Sequence, residues 1–210
     1  MSSQNTNALV AEALLPKRQR GRDRVDAILA AAIALFAEKD YEAVTMTEIA
    51  AQSSTAIGSL YRFFPTKDVL VAALLERYGA TLSESLAEIV ARASLLSPEA
   101  MADALVAMGD SLRPQRTVTL KLIDFPNDSM IRRQQMRDTF KDALARILSR
   151  YHDKTYATDD GAVLLMLGVM KSIWSFVPET DGQPQGFGQE ARRMIALYLA
   201  DLGDGAAPRL

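Results

Sequence analysis

The sequence predicts an all-α chain, with a small N-terminal three-helix domain ahead of a longer C-terminal helical bundle. Three observations predict it. Apolar residues recur three and four positions apart in one segment after another, the period of an amphipathic helix. Ser and Thr caps, with Pro and Gly residues, punctuate those segments. No segment alternates apolar and polar residues with the period of two that a half-buried strand requires. The 210 residues, 49% apolar and 24% charged, suit one large or two small globular domains.

Residues 1–21 read as a flexible leader that becomes basic at its end. The stretch 17–24 sets Lys17, Arg18, Arg20, Arg22 and Arg24 against Asp23 alone. From Arg22 onward, Val25, Ile28, Leu29, Ala32, Leu35 and Phe36 mark the inner face of a helix that should stop near Asp40. Thr45-Met46-Thr47-Glu48 is a capping box, in which Thr45 and Glu48 each accept from the other's backbone N–H. It opens a short helix with Ile49 and Ala50 inward, broken at Gln52–Thr55. A second short helix runs from about Ala56 to Phe64, and Pro65 ends it, because the residue before a proline avoids the helical region. Thr66 caps a third helix, read as a link from Lys67 to about Tyr78 that closes at Gly79. Further helices are expected at about 82–94, 98–112, 116–124, 129–151, 159–176 and 188–202. Ser97 caps the second of these, with Pro98 at its first position.

A short helix, a tight break and another short helix over 45–64 have helix-turn-helix spacing. Leu60 and Phe64, four apart, face inward with Ile49. Ile57, Gly58, Ser59, Tyr61, Arg62 and Phe63 then fall on or beside the outward face. No acid occurs between Ile49 and Lys67, so nothing in that strip repels a phosphate. Gly58 lets a ligand approach the backbone closely. Tyr61 and Arg62 offer donors for phosphate oxygens, Arg62 could instead fork onto a guanine edge, and Ile57 could pack on a thymine methyl. Thr45 and Thr47, and Lys67 beyond the second helix, are placed to grip the DNA backbone on either side. Whether the basic stretch 17–24 follows the phosphates or is a solvated arm stays open at this level.

Residues 22–78 resemble the DNA-binding domain of the tetracycline-repressor (TetR) family of bacterial regulators. The resemblance is carried by Ala34-Leu35-Phe36-Ala37-Glu38, by Thr45 to Ala50, and above all by Gly58-Ser59-Leu60-Tyr61-Arg62-Phe63-Phe64-Pro65-Thr66-Lys67-Asp68-Val69-Leu70. Four positions depart from the usual pattern: Ser54 stands where the family has Gly in the turn, Ala56 where it has a capping Ser, Ile57 where it often has Lys, and Phe63 where it often has His.

The resemblance implies a helix-turn-helix domain at 22–66 and a ligand-binding and dimerisation domain at 67–210, whose last two long helices pair with those of a mate. The 159–176 helix is apolar nearly all round and the last helix carries one apolar stripe. Val163, Leu167, Met170 and Trp174, with Met194, Ile195, Tyr198 and Leu202, are the candidate dimer face. Met101, Met108, Phe125, Met166, Met170 and Trp174 are candidate linings of an apolar ligand cavity, because thioethers and rings suit adaptable pockets. The implied function is a homodimeric repressor, released from a palindromic operator by a small apolar ligand. The alternative is a DNA-binding regulator controlled by a protein partner or by abundance, with no small-molecule effector.

Composition bounds the other classes. Cysteine is absent and histidine occurs once, at His152, so thiol chemistry and multi-histidine metal sites are excluded and an enzyme is not expected. The longest apolar run, Ala162 to Met170, is too short to span a membrane as a helix. The first fifteen residues lack the basic and apolar regions of a secretory signal. A cytoplasmic protein without cofactor, metal or membrane partner is expected.

Overall fold

A computed structural model of the chain describes residues 19–125, 129–175 and 186–203. Among the described residues it has nine α-helices, one short 3-10 turn and no strand, as the periodicity predicts. No helix among them is long and apolar enough to cross a membrane. The chain forms two compact units, one of residues up to 81 together with 114–135, the other of 82–113 together with residues from 136 onward. This division differs from the expected one at 66/67. The segment after Pro114 packs with the N-terminal helices, which no local pattern announces.

In the first unit, α1 (Gln19–Glu38) buries Val25, Ile28, Leu29, Ala31, Ala32, Leu35 and Phe36. It starts three residues before the expected Arg22, so Gln19–Gly21 are helix and not leader. Gln19 Nε2 donates to Asp23 Oδ1 at 2.7 Å, tying the first two turns together. Residues 1–18 lie outside the described residues. Next come α2 (Met46–Gln52), α3 (Ile57–Phe63) and α4 (Lys67–Arg92). The helix α4 runs on past Gly79, where a break was expected. Glycine costs a helix interior about 1 kcal/mol, and burial of Tyr78 before it and of Leu82 and Leu86 after it outweighs that.

The returning segment brings α6 (Arg113–Leu122), and α7 (Ser129–His152) begins in it. Pro114 lies in the first turn of α6, where its missing N–H costs nothing. Phe125 stacks on Tyr41 with ring centroids 4.4 Å apart, and Tyr41 stacks in turn on Phe36 at 6.1 Å. Lys121 Nζ donates to the carbonyl of Ala37 at 3.2 Å, near the C-terminal end of α1, where a cation is favoured.

In the second unit, α5 (Pro98–Ser111) packs against α8 (Gly161–Ser175) and, more extensively, α9 (Phe187–Gly203). Ser97 caps α5 through a hydrogen bond from Ala100 N, with Pro98 following as expected. Met101, Ala102, Leu105, Val106 and Met108 are buried on α5, Val163, Met166 and Met170 on α8, and Ile195, Ala196 and Leu199 on α9. Gly109 lies directly under the indole of Trp174, whose ring meets Phe140 edge-on at 5.0 Å. Arg192 of α9 pairs with Asp103 of α5 at 3.0 Å.

His152 ends α7 beside Tyr151 and Tyr156. Its Nε2 is shut off from water with no partner among the described residues. Burial first, then Lys154, pushes its pKa below the ordinary 6.5. The folded state therefore binds its proton less readily than the unfolded chain does. The contribution is complete above about pH 6.5 and is lost as the pH falls through the folded value. Thermal melts of wild type and His152→Gln over pH 4.5 to 8 should diverge in this way, with the variant's profile flatter below about pH 6.5. Parallel profiles would refute the assignment.

Candidate nucleic-acid interface

Thr45 is the N-cap of α2. Its Oγ1 accepts from Glu48 N at 3.2 Å and Glu48 Oε2 accepts from Thr45 N at 2.9 Å, closing the expected box. Lys39 Nζ pairs with the other carboxylate oxygen at 2.7 Å. The hydrogen bond from Lys39, followed by those from the Thr45 backbone and hydroxyl, pulls the Glu48 pKa down to about 2. The Thr45 hydroxyl is thus engaged in the cap, and Thr47 stands exposed in the same turn.

The turn between α2 and α3 is built by Ser54 at φ +51°, in the left-handed region. Thr55 N donates to Ala50 O at 2.9 Å and Ser54 N to Ala51 O at 3.1 Å, the pair of bonds that ends a helix in a Schellman motif. Glycine usually fills that position because a Cβ crowds the backbone there. Ser54→Gly is therefore expected to stabilise the protein by about 0.5–1 kcal/mol, the strain relieved exceeding the added freedom of the unfolded chain. Urea denaturation would check the sign, and a destabilised variant would contradict it.

Ala56 begins α3 with no side-chain cap. Leu60, Phe63 and, just beyond the helix, Phe64 are buried. Phe63 is a correction, since it was placed with the outward residues. Its spacing of three from Leu60 puts it on the inner stripe, where an aromatic gains more from burial than at the surface. Ile57 (41% exposed) and Tyr61 (46%) stand out from the surface, and Gly58 and Arg62 are exposed beside them. A Cβ at Gly58 would meet nothing within 4 Å, so nothing inside the chain requires glycine there. The Arg62 guanidinium lies 5.0 Å from the centre of the Phe63 ring. Ser59 is half-buried, and its Oγ accepts from Arg24 Nη1 of α1 at 3.3 Å. Sequence reasoning named Arg24 only as part of the basic stretch 17–24, whose contact with phosphates it left open. The signal was available, because the spacing of Arg20 and Arg24 puts them on one face if the helical period is extended back through 20–24.

Lys67 is tied into the protein as well. Its ammonium donates to Tyr41 O at 2.7 Å and Val44 O at 3.0 Å, and lies 4.1 Å from the centre of the Tyr41 ring. Two of its three N–H groups are spent inside the protein. It fastens the loop between α1 and α2 to the start of α4, and its third N–H is not engaged by either bond. The Tyr41 hydroxyl donates to Asp68, and burial, then that carboxylate, pushes the Tyr41 pKa up.

The other candidate residues fall as follows. Met101, Met108, Met166 and Met170 are buried in the second unit, and Trp174 is half-buried there. Phe125 does not join them, because it stacks on Tyr41 in the first unit. Of the expected dimer face, Val163, Met170 and Ile195 are buried within the chain, since they sit on the sides of α8 and α9 that close on the unit's own core. Met194 is exposed, and Leu167, Trp174, Tyr198 and Leu202 are half-exposed. Leu164 and Leu165 of α8 and Leu197 of α9, which the sequence reading did not choose, are exposed as well.

Residues 28–74 match the family described as bacterial regulatory proteins, tetR family. The HTH-type transcriptional repressor Rv3405c of Mycobacterium tuberculosis is 43% identical over 83 residues, which cover 37% of this chain and 44% of that protein. The matched stretch thus spans less than half the length of that curated relative. Among solved structures, the TetR family transcriptional regulator PfmR of Thermus thermophilus superposes with a TM-score of 0.59 at 18% identity, covering 82% of this chain and 97% of that one. AibR in complex with isovaleryl coenzyme A and operator DNA superposes with a TM-score of 0.55 at 18% identity, covering 83% of this chain and 97% of that one. The capped α2, the left-handed turn at Ser54 and the outward α3 all lie inside the region that matches the tetR family of bacterial regulatory proteins.

Proposed function

We propose that the protein is a transcriptional repressor that binds a palindromic operator in double-stranded DNA as a homodimer and is released by a small apolar ligand. One observation carries the DNA-binding reading: α3 presents Ile57, Gly58, Tyr61 and Arg62 outward on a strip free of acids, within the region matched to the family. That Rv3405c is a transcriptional repressor, and that AibR forms a complex with operator DNA, supports the same reading. Exposed Leu164 and Leu165 on α8 and Met194 and Leu197 on α9 support pairing with a second copy. The apolar character of the ligand is argued from the buried methionines of α5 and α8, and the isovaleryl coenzyme A in the AibR complex supports only that a protein of this fold can take a small-molecule effector. Ligand would favour a dimer whose recognition helices no longer match successive major grooves.

Fluorescence anisotropy with labelled duplexes tests the first step. The protein should select a palindromic sequence from a random pool, and Arg62→Ala should weaken that site by about 1–3 kcal/mol if Arg62 pairs with guanine. If Arg62 holds a phosphate, random and selected duplexes will lose affinity equally. Wild-type protein that binds no duplex at any salt concentration overturns the reading. Light scattering at micromolar concentration tests the dimer, and a monomer would overturn that part alone.

A further inference from the structure

We propose that Arg24 of α1 is a DNA phosphate contact, held beside the recognition helix by Ser59. The inference rests on the DNA-binding reading above and adds a third helix to the interface. The guanidinium is exposed and donates one N–H to Ser59 Oγ at 3.3 Å. Four donors remain in a rigid fork. Other exposed arginines, Arg77, Arg133 and Arg146, are neutralised by carboxylates. Arg24 has no carboxylate within ion-pair distance among the described residues. The nearby acids on α1 are already engaged, Asp23 by Gln19 and Asp26 by Arg77. Arg20, one turn earlier on the same face, adds a second positive charge without a carboxylate partner among the described residues.

A guanidinium without a counter-ion, next to the outward face of α3, has the chemistry that receives a phosphodiester oxygen. The stretch Gln19–Arg24 is helical, so Arg24 projects from the side of a helix and not from an extended arm of the kind that threads a minor groove. Its contact is therefore with the backbone and carries no sequence information. Ser59 acts as a positioning residue.

The test titrates wild type, Arg24→Gln, Arg24→Lys and Ser59→Ala against a random duplex and the sequence the protein selects, at several salt concentrations. Arg24→Gln should lose about five- to ten-fold on both duplexes, and its log–log salt slope should fall in magnitude by ~1. Arg24→Lys should keep the slope. Ser59→Ala should keep the slope and lose roughly two- to three-fold, the worth of one hydrogen bond. An unchanged slope in Arg24→Gln, or a loss confined to the selected sequence, overturns the proposal while leaving DNA binding intact. Failure of the wild type to bind either duplex removes the DNA-binding reading itself and this contact with it.

Discussion

Gly109→Val is expected to destabilise the protein by about 3 kcal/mol, because a Cβ at that position would overlap the indole of Trp174. Valine gains little helix propensity over glycine, only a few tenths of a kcal/mol, so the steric cost decides the sign. Trp174 is half-buried, so the indole can relieve the overlap by moving toward solvent. That movement would give up the edge contact with Phe140. Trp174 is the only tryptophan, so its emission reports the displacement directly. A red-shifted spectrum with a lower urea midpoint is the expected pair of results. Unchanged emission and midpoint would mean that the α5–α8 contact is looser than its geometry implies.

Lys67→Ala is expected to cost about 2–3 kcal/mol, through the loss of two charged hydrogen bonds to the carbonyls of Tyr41 and Val44. Those bonds join the loop before α2 to the start of α4, so the loss should appear as lower stability before it appears as altered DNA recognition. Two measurements separate the roles. Urea denaturation reads the loop anchor, and the salt dependence of DNA binding reads any phosphate contact. A stability loss with an unchanged salt slope is expected. A slope reduced by ~1 at unchanged stability would restore Lys67 as a backbone grip.

The all-α class and the capping box at Thr45 and Glu48 were legible in the sequence because both are local, set by the helical period and by a three-residue reciprocity. Ser54 illustrates the same point, since the turn needs a left-handed residue whichever side chain occupies it. Phe63 was misread because in a seven-residue helix one turn separates inside from outside. An aromatic at the boundary follows the core it can reach. The role of Lys67 was hidden because its carbonyl partners lie 26 and 23 residues away. Arg24 was visible as part of the basic stretch, but its bond to Ser59, 35 residues away, was not. On α8, an all-round apolar composition could not say which side would close on the core. Val163 and Met170 turned in, and Leu164 and Leu165 turned out. Long-range pairings of this kind leave no periodic trace.

The first unit is assembled from two stretches of chain, with 114–135 returning to residues that precede 82. During synthesis the first unit cannot be completed until its second stretch has emerged. The face of Tyr41 that receives Phe125, and the Ala37 carbonyl that receives Lys121, emerge from the ribosome well before their partners do. At ordinary elongation rates the wait between residues 81 and 135 is on the order of 3–10 s. Over that interval the helix-turn-helix segment exists without its second stretch.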